Sequence, residues 1–177
     1  LEIAEFEPEE VDNYELGIKI DALDQRIRFN TAFYYMEYDD IQIRITEQGV
    51  NIADILLFID NAGAATIQGF EMELTALPLP NVIISANTSY TDASYDEFLA
   101  SDVDTSTLPP TPLYNQDRSN EPFAAVPELT YALSAMVILP TDFGDLAPRL
   151  SMYYRDKLFT GLDATAWKPE FQDRTTI

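Results

Sequence analysis

Apolar and polar residues alternate along several stretches of this 177-residue chain. Every second residue is apolar from Tyr14 to Ile20, and the alternation resumes from Ile27 to Tyr35 after a break at residues 22–25. Successive side chains of a β-strand point to opposite faces, so each stretch predicts a strand with one apolar and one polar face. Two such strands joined by a short break predict a β-hairpin.

The same pattern occurs twice more and predicts six strands in all. The second hairpin has its break at residues 77–81, where two prolines favour a turn because proline cannot donate to a strand ladder. The third hairpin has its break at residues 140–146. The predicted strands cover approximately residues 14–20, 27–36, 65–76, 82–91, 129–139 and 149–155. The fold class is therefore all-β and antiparallel.

The connections between these strands alternate strictly between short and long. Residues 22–25, 77–81 and 140–146 are short breaks, whereas 40–62 and 92–128 are long. Outer-membrane barrels have tight periplasmic turns on one rim and extended extracellular loops on the other. The pattern thus predicts a fragment of an antiparallel transmembrane β-barrel, with the short breaks periplasmic and the long loops extracellular. Strands of a soluble β-sandwich also alternate apolar and polar residues, but the connections between them seldom alternate so regularly between short and long.

Local composition gives two expectations for the long connections. Residues 93–128 are acidic and rich in proline, which predicts a mobile surface loop. Within residues 40–62, Asn51 precedes Ile52, Ile55, Leu56 and Ile59 at helical spacing, which predicts a short capped helix.

Each face of the predicted strands has a distinct chemistry. The apolar face carries a tyrosine close to the long-loop end of most strands, as expected for an aromatic girdle at a membrane–water interface. These tyrosines are Tyr14, Tyr35, Tyr90, Tyr131 and Tyr154. The polar face would line a lumen, and its residues include Glu15, Lys19, Asp21, Arg28, Asn30, Glu71, Glu73, Asn87 and Arg149.

Composition excludes several other functions. The chain has 31 Asp and Glu against 10 Lys and Arg, for a formal net charge of -21, so we expect no binding to nucleic acid. It has no cysteine and no histidine, which removes the commonest nucleophile–base pairs and metal ligands. The pair Glu71 and Glu73 is best interpreted as a solvated strand face. We therefore expect no enzyme activity, no cofactor and no metal site.

Three stretches of sequence resemble the signatures of one known family. They are FEPEE at Phe6–Glu10 with NYELGIK at Asn13–Lys19, NTAFYYMEYDDIQ at Asn30–Gln42, and NAGAATIQGFEME at Asn61–Glu73. In this order they resemble the barrel of TonB-dependent outer-membrane receptors. The stretches Val126–Glu128 and Tyr153–Asp156 fit the same series.

The resemblance implies a larger molecule of which this chain is a part. It implies a 22-stranded barrel with an N-terminal plug, in which residues 1–177 supply about six later strands without the plug or the closing C-terminal strand. Such receptors reside in the Gram-negative outer membrane, where the barrel contacts lipid. They import scarce nutrients, often ferric siderophores, with energy from the TonB complex acting on a motif in the plug. Gly17 and Gly69 would leave room for a close approach on the lumen face, and Asn61-Ala62-Gly63 would supply turn chemistry.

The candidates for contact with a ligand are basic residues. Arg44, Arg118 and Arg155 are the candidates at the extracellular mouth, together with Lys157, among many acidic residues. Two alternatives to an active importer stay open from sequence: a passive porin-like or structural barrel, and a soluble acidic β-sandwich binding module.

Overall fold

The computed structural model describes residues 6–48, 55–104, 106–108, 111–159, 170–171 and 174–176. Its regular elements are twelve β-strands. They are β1 (Glu10–Ala22), β2 (Ile27–Gln48), β3 (Ile55–Leu79), β4 (Val82–Asp104), β5 (Thr111–Asp117), β6 (Leu129–Val137), β7 (Leu139–Thr141), β8 (Gly144–Leu146), β9 (Arg149–Arg155), β10 (Leu158–Phe159), β11 (Glu170–Phe171) and β12 (Arg174–Thr176). Over these described residues, no helix is long and apolar enough to cross a membrane.

The main sheet is a meander in which strands adjacent in sequence are also adjacent in space. Its order is β1-β2-β3-β4-β6-β9-β12, with β5 paired to β4, and the paired strands are antiparallel. The six predicted strands correspond to β1, β2, β3, β4, β6 and β9. The prediction of an all-β antiparallel barrel fragment is confirmed, and β12 adds a seventh strand to the path.

The register confirms the division into two faces. Leu16 lies opposite Phe33, which lies opposite Phe70, which lies opposite Tyr90, so the apolar positions of four strands form one row. Polar positions form the neighbouring rows in the same way, for example Glu71, Ser89 and Thr130. All nine residues predicted for the lumen lie on this second face.

Side chains join the three short turns to one another along a single rim. The first turn places Leu23, Asp24 and Gln25 at positive φ. Its Arg26 donates from Nε to the Leu77 carbonyl at 3.0 Å and from Nη2 to the Pro78 carbonyl, both at the end of β3. Asn81, in the next turn, exchanges hydrogen bonds with the backbone of Ile138 at 2.8 and 3.3 Å. The third break, residues 140–146, is a small hairpin of β7 and β8.

The first predicted long loop is largely strand. Strands β2 and β3 continue past the rest of the sheet, with pairs from Gln42↔Asn61 to Gln48↔Ile55. The helix predicted from the spacing of Ile55, Leu56 and Ile59 is therefore wrong, because cross-strand hydrogen bonds to β2 outweigh a spacing that suits either structure. Asn51 and Ile52, the start of that prediction, lie outside the described residues.

The second predicted long loop also contains strands. Strand β4 extends to Asp104, and β5 pairs with it from Leu99↔Asp117 to Asp104↔Thr111. The prolines were expected to prevent regular structure here. Pro112 is accommodated because β5 pairs only with β4 and so forms an edge, where a missing donor costs little. The sheet thus has a band common to all its main strands and two arms, β2–β3 and β4–β5, beyond the long-loop end.

Gly69 allows a close approach of the kind expected from sequence, made by the backbone of Tyr90 and the side chain of Tyr34. A Cβ at this position would overlap the carbonyl oxygen of Tyr90 and lie 2.6 Å from the Tyr34 hydroxyl oxygen. The Tyr34 ring lies over Gly69, and its hydroxyl is 2.6 Å from the Thr91 hydroxyl. A Cβ at Gly17, in contrast, would meet only the Thr31 carbonyl oxygen, at an ordinary 3.7 Å.

We predict that Gly69→Ala destabilises the intact receptor by about 1–3 kcal/mol, because the added methyl group displaces Tyr34 and strains β4. Unfolding by urea in detergent micelles, followed by intrinsic fluorescence, measures the change. Gly17→Ala is the matched control and should change the stability little. Equal effects of the two substitutions would contradict the packing described here.

Candidate functional site

The five tyrosines of the predicted girdle form an oblique line across the apolar face. Tyr14 lies directly opposite Tyr35, and Tyr131 lies directly opposite Tyr154 with the rings stacked at 4.9 Å. Residues that lie opposite one another on successive strands form a row across the sheet. The row that contains Tyr35 includes Asp92 of β4, whereas the row that contains Tyr131 includes Thr88 of β4. Tyr90 lies between those two rows. The line therefore descends toward the short-turn rim by about one residue per strand.

This slope corresponds to the strand tilt of a barrel. With about 3.3 Å per residue and about 4.8 Å between strands, one residue per strand is an angle of roughly 35°. Strands of outer-membrane barrels tilt by about 35–45° from the barrel axis. Tyrosine rings on strands tilted in this way come to one height, as an interfacial girdle requires.

The apolar face of the sheet becomes polar beyond the tyrosine line. Below it, the face of β2 is apolar from Ile27 to Tyr35 apart from Thr31, whose hydroxyl donates to the Glu71 carbonyl. At this tilt the stretch spans about 22 Å, close to the roughly 25 Å apolar band of outer-membrane barrels. Above it, the face becomes polar: Gln68 donates to Asp92 at 3.2 Å, and Thr66 donates to Asp96 at 2.7 Å. The described strands therefore have an apolar band bounded by tyrosines and hydrophilic arms beyond it.

A hydrogen-bonded cluster joins three of the motif stretches where the β2–β3 arm begins. The Asn61 side chain accepts from the Glu7 backbone N–H at 2.6 Å and donates to the Glu7 and Asp40 carbonyls at 3.0 and 2.6 Å. Gln42 donates from its backbone to the Glu9 carboxylate at 2.9 Å and from its side chain to the Glu7 carbonyl at 3.2 Å. We call Glu7, Glu9, Asp40, Gln42 and Asn61 the clasp.

The clasp lies at an irregularity in the sheet. The register between β2 and β3 shifts between Tyr38 and Ile41, and Asp40 has φ 55°. A bulge bends its strand and leaves backbone groups without ladder partners, and the Asn61 amide supplies a donor to one of them, the Asp40 carbonyl. The expectation that Asn61-Ala62-Gly63 forms a turn is wrong, because Asn61 lies within β3 and acts through its side chain.

A small core lies above the band on the inner, polar-face side of the sheet. Its buried residues are Ala65, Tyr95, Phe98 and Ala100. Tyr95 packs on Phe98 at 4.7 Å between ring centroids and stacks on Phe123 at 4.6 Å. Phe123 belongs to residues 118–128, which fold over β4 and are held by hydrogen bonds from Arg118 to the Phe98 carbonyl at 2.7 Å and from Thr91 to the Glu128 carbonyl at 2.9 Å.

Three side chains of the arms and the small core, Asp104, Asp117 and Tyr95, have shifted pKa values. The Ser106 side chain and backbone donate to Asp104, and the Ser119 backbone and side chain stabilise Asp117, which lowers the pKa of both carboxyls. Burial raises the pKa of Tyr95, and the Glu121 charge acts in the same direction, while a hydrogen bond with the Ala124 backbone opposes them.

The predicted ligand candidates do not lie in one cluster. Arg44 is in the β2–β3 arm opposite Ile59. Arg118 is largely buried and forms an ion pair with Glu121 at 3.1 Å. Arg155 ends β9, opposite Thr130 on one side and Arg174 on the other. Lys157 lies 5.8 Å from the ring centroid of Phe159. Their role in ligand binding stays a prediction.

The band, the tyrosine line and the antiparallel meander define a wall segment of a transmembrane β-barrel. A family model described as "TonB dependent receptor-like, beta-barrel" matches residues 3–172. The chain belongs to this family, which is a family of receptors and not of enzymes.

Solved structures with the same fold are several times longer than this chain. The ferric yersiniabactin uptake receptor FyuA from Yersinia pestis aligns with a TM-score of 0.67 at 21% identity, over 97% of this chain and 22% of FyuA. The siderophore receptor PiuA from Acinetobacter baumannii aligns at 0.66 and 22% identity, over 96% of this chain and 22% of PiuA. The FrpB iron transporter from Neisseria meningitidis aligns with a TM-score of 0.63 at 14% identity, over 98% of this chain and 24% of FrpB. The chain therefore spans about a fifth of these proteins.

We predict that Asn61→Ala makes the base of the β2–β3 arm open more often. Loss of the three amide hydrogen bonds should lower the free energy of local opening by about 1–2 kcal/mol, so that the Glu7 amide exchanges roughly 5–30-fold faster. Hydrogen–deuterium exchange on the intact receptor measures this. Gln68→Ala, which removes one hydrogen bond from the same strand, is the control and should leave Glu7 unaffected. Unchanged exchange at Glu7 would show that the clasp does not hold the arm.

We predict that residues 118–128 loosen at alkaline pH through Tyr95. Its folded-state pKa is raised, so its contribution to stability is present below the unfolded pKa of about 10 and is lost as the pH rises through the folded value. Limited proteolysis of the intact receptor between about pH 9 and 11 should therefore show cleavage in this segment appearing with pH. Tyr95→Phe should suppress that increase and Tyr90→Phe should not. The same pH dependence in all three proteins would exclude Tyr95 as the cause.

Proposed function

We propose that this chain is part of an outer-membrane receptor that imports a scarce nutrient of the ferric-siderophore class. The observation that carries the proposal is the two-faced wall: one apolar face bounded by a tyrosine line, and one polar face continuous over the same strands. Such a wall separates lipid from an aqueous lumen. Membership of the receptor family supports a transport role, and the names of FyuA, PiuA and FrpB support iron or siderophore as cargo.

Import in this proposal is energised and needs parts beyond these residues. The polar face would surround a plug domain of the same full-length chain, and the TonB complex would act on a motif in that plug. Residues 1–177 would then be part of the barrel domain, in a barrel of 22 strands. The short-turn rim would face the periplasm, and the acidic arms would face the exterior of a Gram-negative cell.

Two other functions were left open by the sequence. The soluble sandwich is not supported, because the described strands form one main sheet with no second sheet packed against it, and large apolar side chains such as Leu16 and Leu150 are exposed. A passive porin-like barrel would have the same wall geometry. It differs from the proposal in its energy source, and the family match favours the TonB-dependent receptor.

We predict that cells expressing the full-length receptor take up radiolabelled iron from at least one ferric siderophore of a defined panel, and that deleting TonB abolishes this uptake. The reason is that a plugged barrel cannot pass a bulky chelate without mechanical work on the plug. Uptake over time in an iron-starved strain lacking its other siderophore receptors is the measurement.

Two controls make this result specific. Siderophore binding to TonB-deficient cells should persist, because binding needs only the exterior face of the receptor. A small solute that passes through general porins should enter at the same rate with and without the receptor. Siderophore uptake that continues without TonB would favour a passive channel and contradict the proposal.

A further inference from the structure

The apolar band has a second edge that runs parallel to the tyrosine line. On each strand that carries a tyrosine of the line, the eighth residue toward the short-turn rim is apolar and is the first or last residue of a strand at that rim. The second edge therefore lies about 22 Å below the line at the tilt of these strands. We call it the short-turn edge, and its residues are Ala22, Ile27, Val82, Leu139 and Leu146.

The β7–β8 hairpin is the lower end of this band. The pair Leu139↔Leu146 keeps the register of β6 and β9, with no residue inserted in either strand. The ladder is interrupted at Pro148, which has no N–H to donate, but Val137 still donates to the Pro148 carbonyl at 3.1 Å. Because side chains alternate along a strand, Leu139 and Leu146 remain on the apolar face, and only the tip of the hairpin lies beyond the short-turn edge.

Large apolar side chains lie exposed at or just past this edge in each of the three short turns. Leu23 of the first turn is 67% exposed, Leu79 at the second is 57% exposed, and Phe143 at the tip of the third is fully exposed. Turns that stand in water are usually built from Gly, Pro, Asn, Asp and Ser. Single exposed apolar residues are common on any surface, but these three lie at one height and continue the apolar band.

The tip of the third turn lies at the height of a membrane–water interface. Phe143 is roughly 30 Å from the tyrosine line at this tilt, about 5 Å beyond an apolar band of about 25 Å, and so within the headgroup region. Outer-membrane barrels have aromatic girdles at both interfaces. Residues 15–33, 71–89 and 132–152, which form the short-turn side of the wall, contain no tyrosine or tryptophan at this edge. Phe143 is the aromatic residue that they place there.

We propose that the short turns are a lipid-binding surface, in which Phe143, Leu23 and Leu79 insert at the boundary between the headgroups and acyl chains of phospholipids in the periplasmic leaflet. Phospholipid is the occupant because the apolar surface of the turns is continuous with the band that lipid covers. Burying these side chains there removes apolar surface from water and fixes the height of the barrel in the membrane. The inference rests on the proposed function only in taking the apolar face as the lipid face.

Depth-dependent fluorescence quenching in bilayers tests the proposal. A single cysteine replaces Phe143 in the intact receptor, carries a bimane label, and is reconstituted into phosphatidylcholine vesicles. Some vesicles contain lipid with a nitroxide near the glycerol, and others contain lipid with a nitroxide near the end of the acyl chain. We expect the shallow nitroxide to remove more of the fluorescence at position 143 than the deep one, and aqueous iodide to remove little.

Labels at two other positions are the matched controls. Asp145 belongs to the same hairpin but neighbours Leu146 in sequence and so lies on the opposite face; its label should be quenched by iodide and little by either lipid. Ala135 lies midway between Tyr131 and Leu139 on the apolar face, and its label should be quenched most by the deep nitroxide. If Phe143→Cys fails to fold, Leu23→Cys decides the question with the same expected result as position 143.

Two results would overturn the proposal. The first is a label at position 143 that iodide quenches as fully as the label at 145, which would place the turn in water or leave it for a periplasmic protein, absent from these vesicles. The second is quenching by lipid at position 143 that rises steadily as the receptor is diluted with lipid, which would indicate that a second copy covers the turn. Quenching at position 135 by the deep nitroxide in either case would leave the lipid-facing wall, and with it the proposed function, intact.

Discussion

The antiparallel register between neighbouring strands is the constraint on which the rest of this structure depends. A backbone group facing hydrocarbon has no water to bind, so each strand of a membrane wall must pair with neighbours. The pairing fixes the faces, because a slip of one residue would turn every apolar side chain of a strand inward. In this chain the apolar positions of β1, β2, β3, β4, β6 and β9 coincide row by row.

Contacts at both ends of the band hold that register. Arg26 and Asn81 connect successive turns along the short rim. At the long-loop end, the clasp around Asn61 closes the bulge where the β2–β3 arm leaves the wall. The tyrosine line follows from the register and the tilt together, and it separates the apolar band from arms whose small core is formed by Tyr95, Phe98 and Phe123.

Sequence alone predicted the band well and the arms poorly, for physical reasons. Alternation from Tyr14 to Ile20 is unambiguous because only a strand has period two. The continuous apolar run Ile55–Ile59 suits a helix or a strand, and partners on β2 decide between them. The role of Asn61 depends on Glu7, 54 residues away, which spacing within a motif cannot reveal. Strand β12 was not predicted because a strand of three residues, Arg174–Thr176, is too short for alternation to be recognised.

The central claim, that one face of this wall meets lipid and the other a lumen, is tested most directly by spin-label accessibility. The chain contains no cysteine, so single cysteines can be placed at successive positions of β2 from Phe29 to Tyr34 in the intact receptor in lipid bilayers. Collisions with oxygen, which partitions into lipid, should be high at positions 29, 31 and 33 and low at 30, 32 and 34. Collisions with a water-soluble nickel chelate should be low at the first three positions. Accessibility to oxygen without a period of two, or with the opposite phase, would contradict the account.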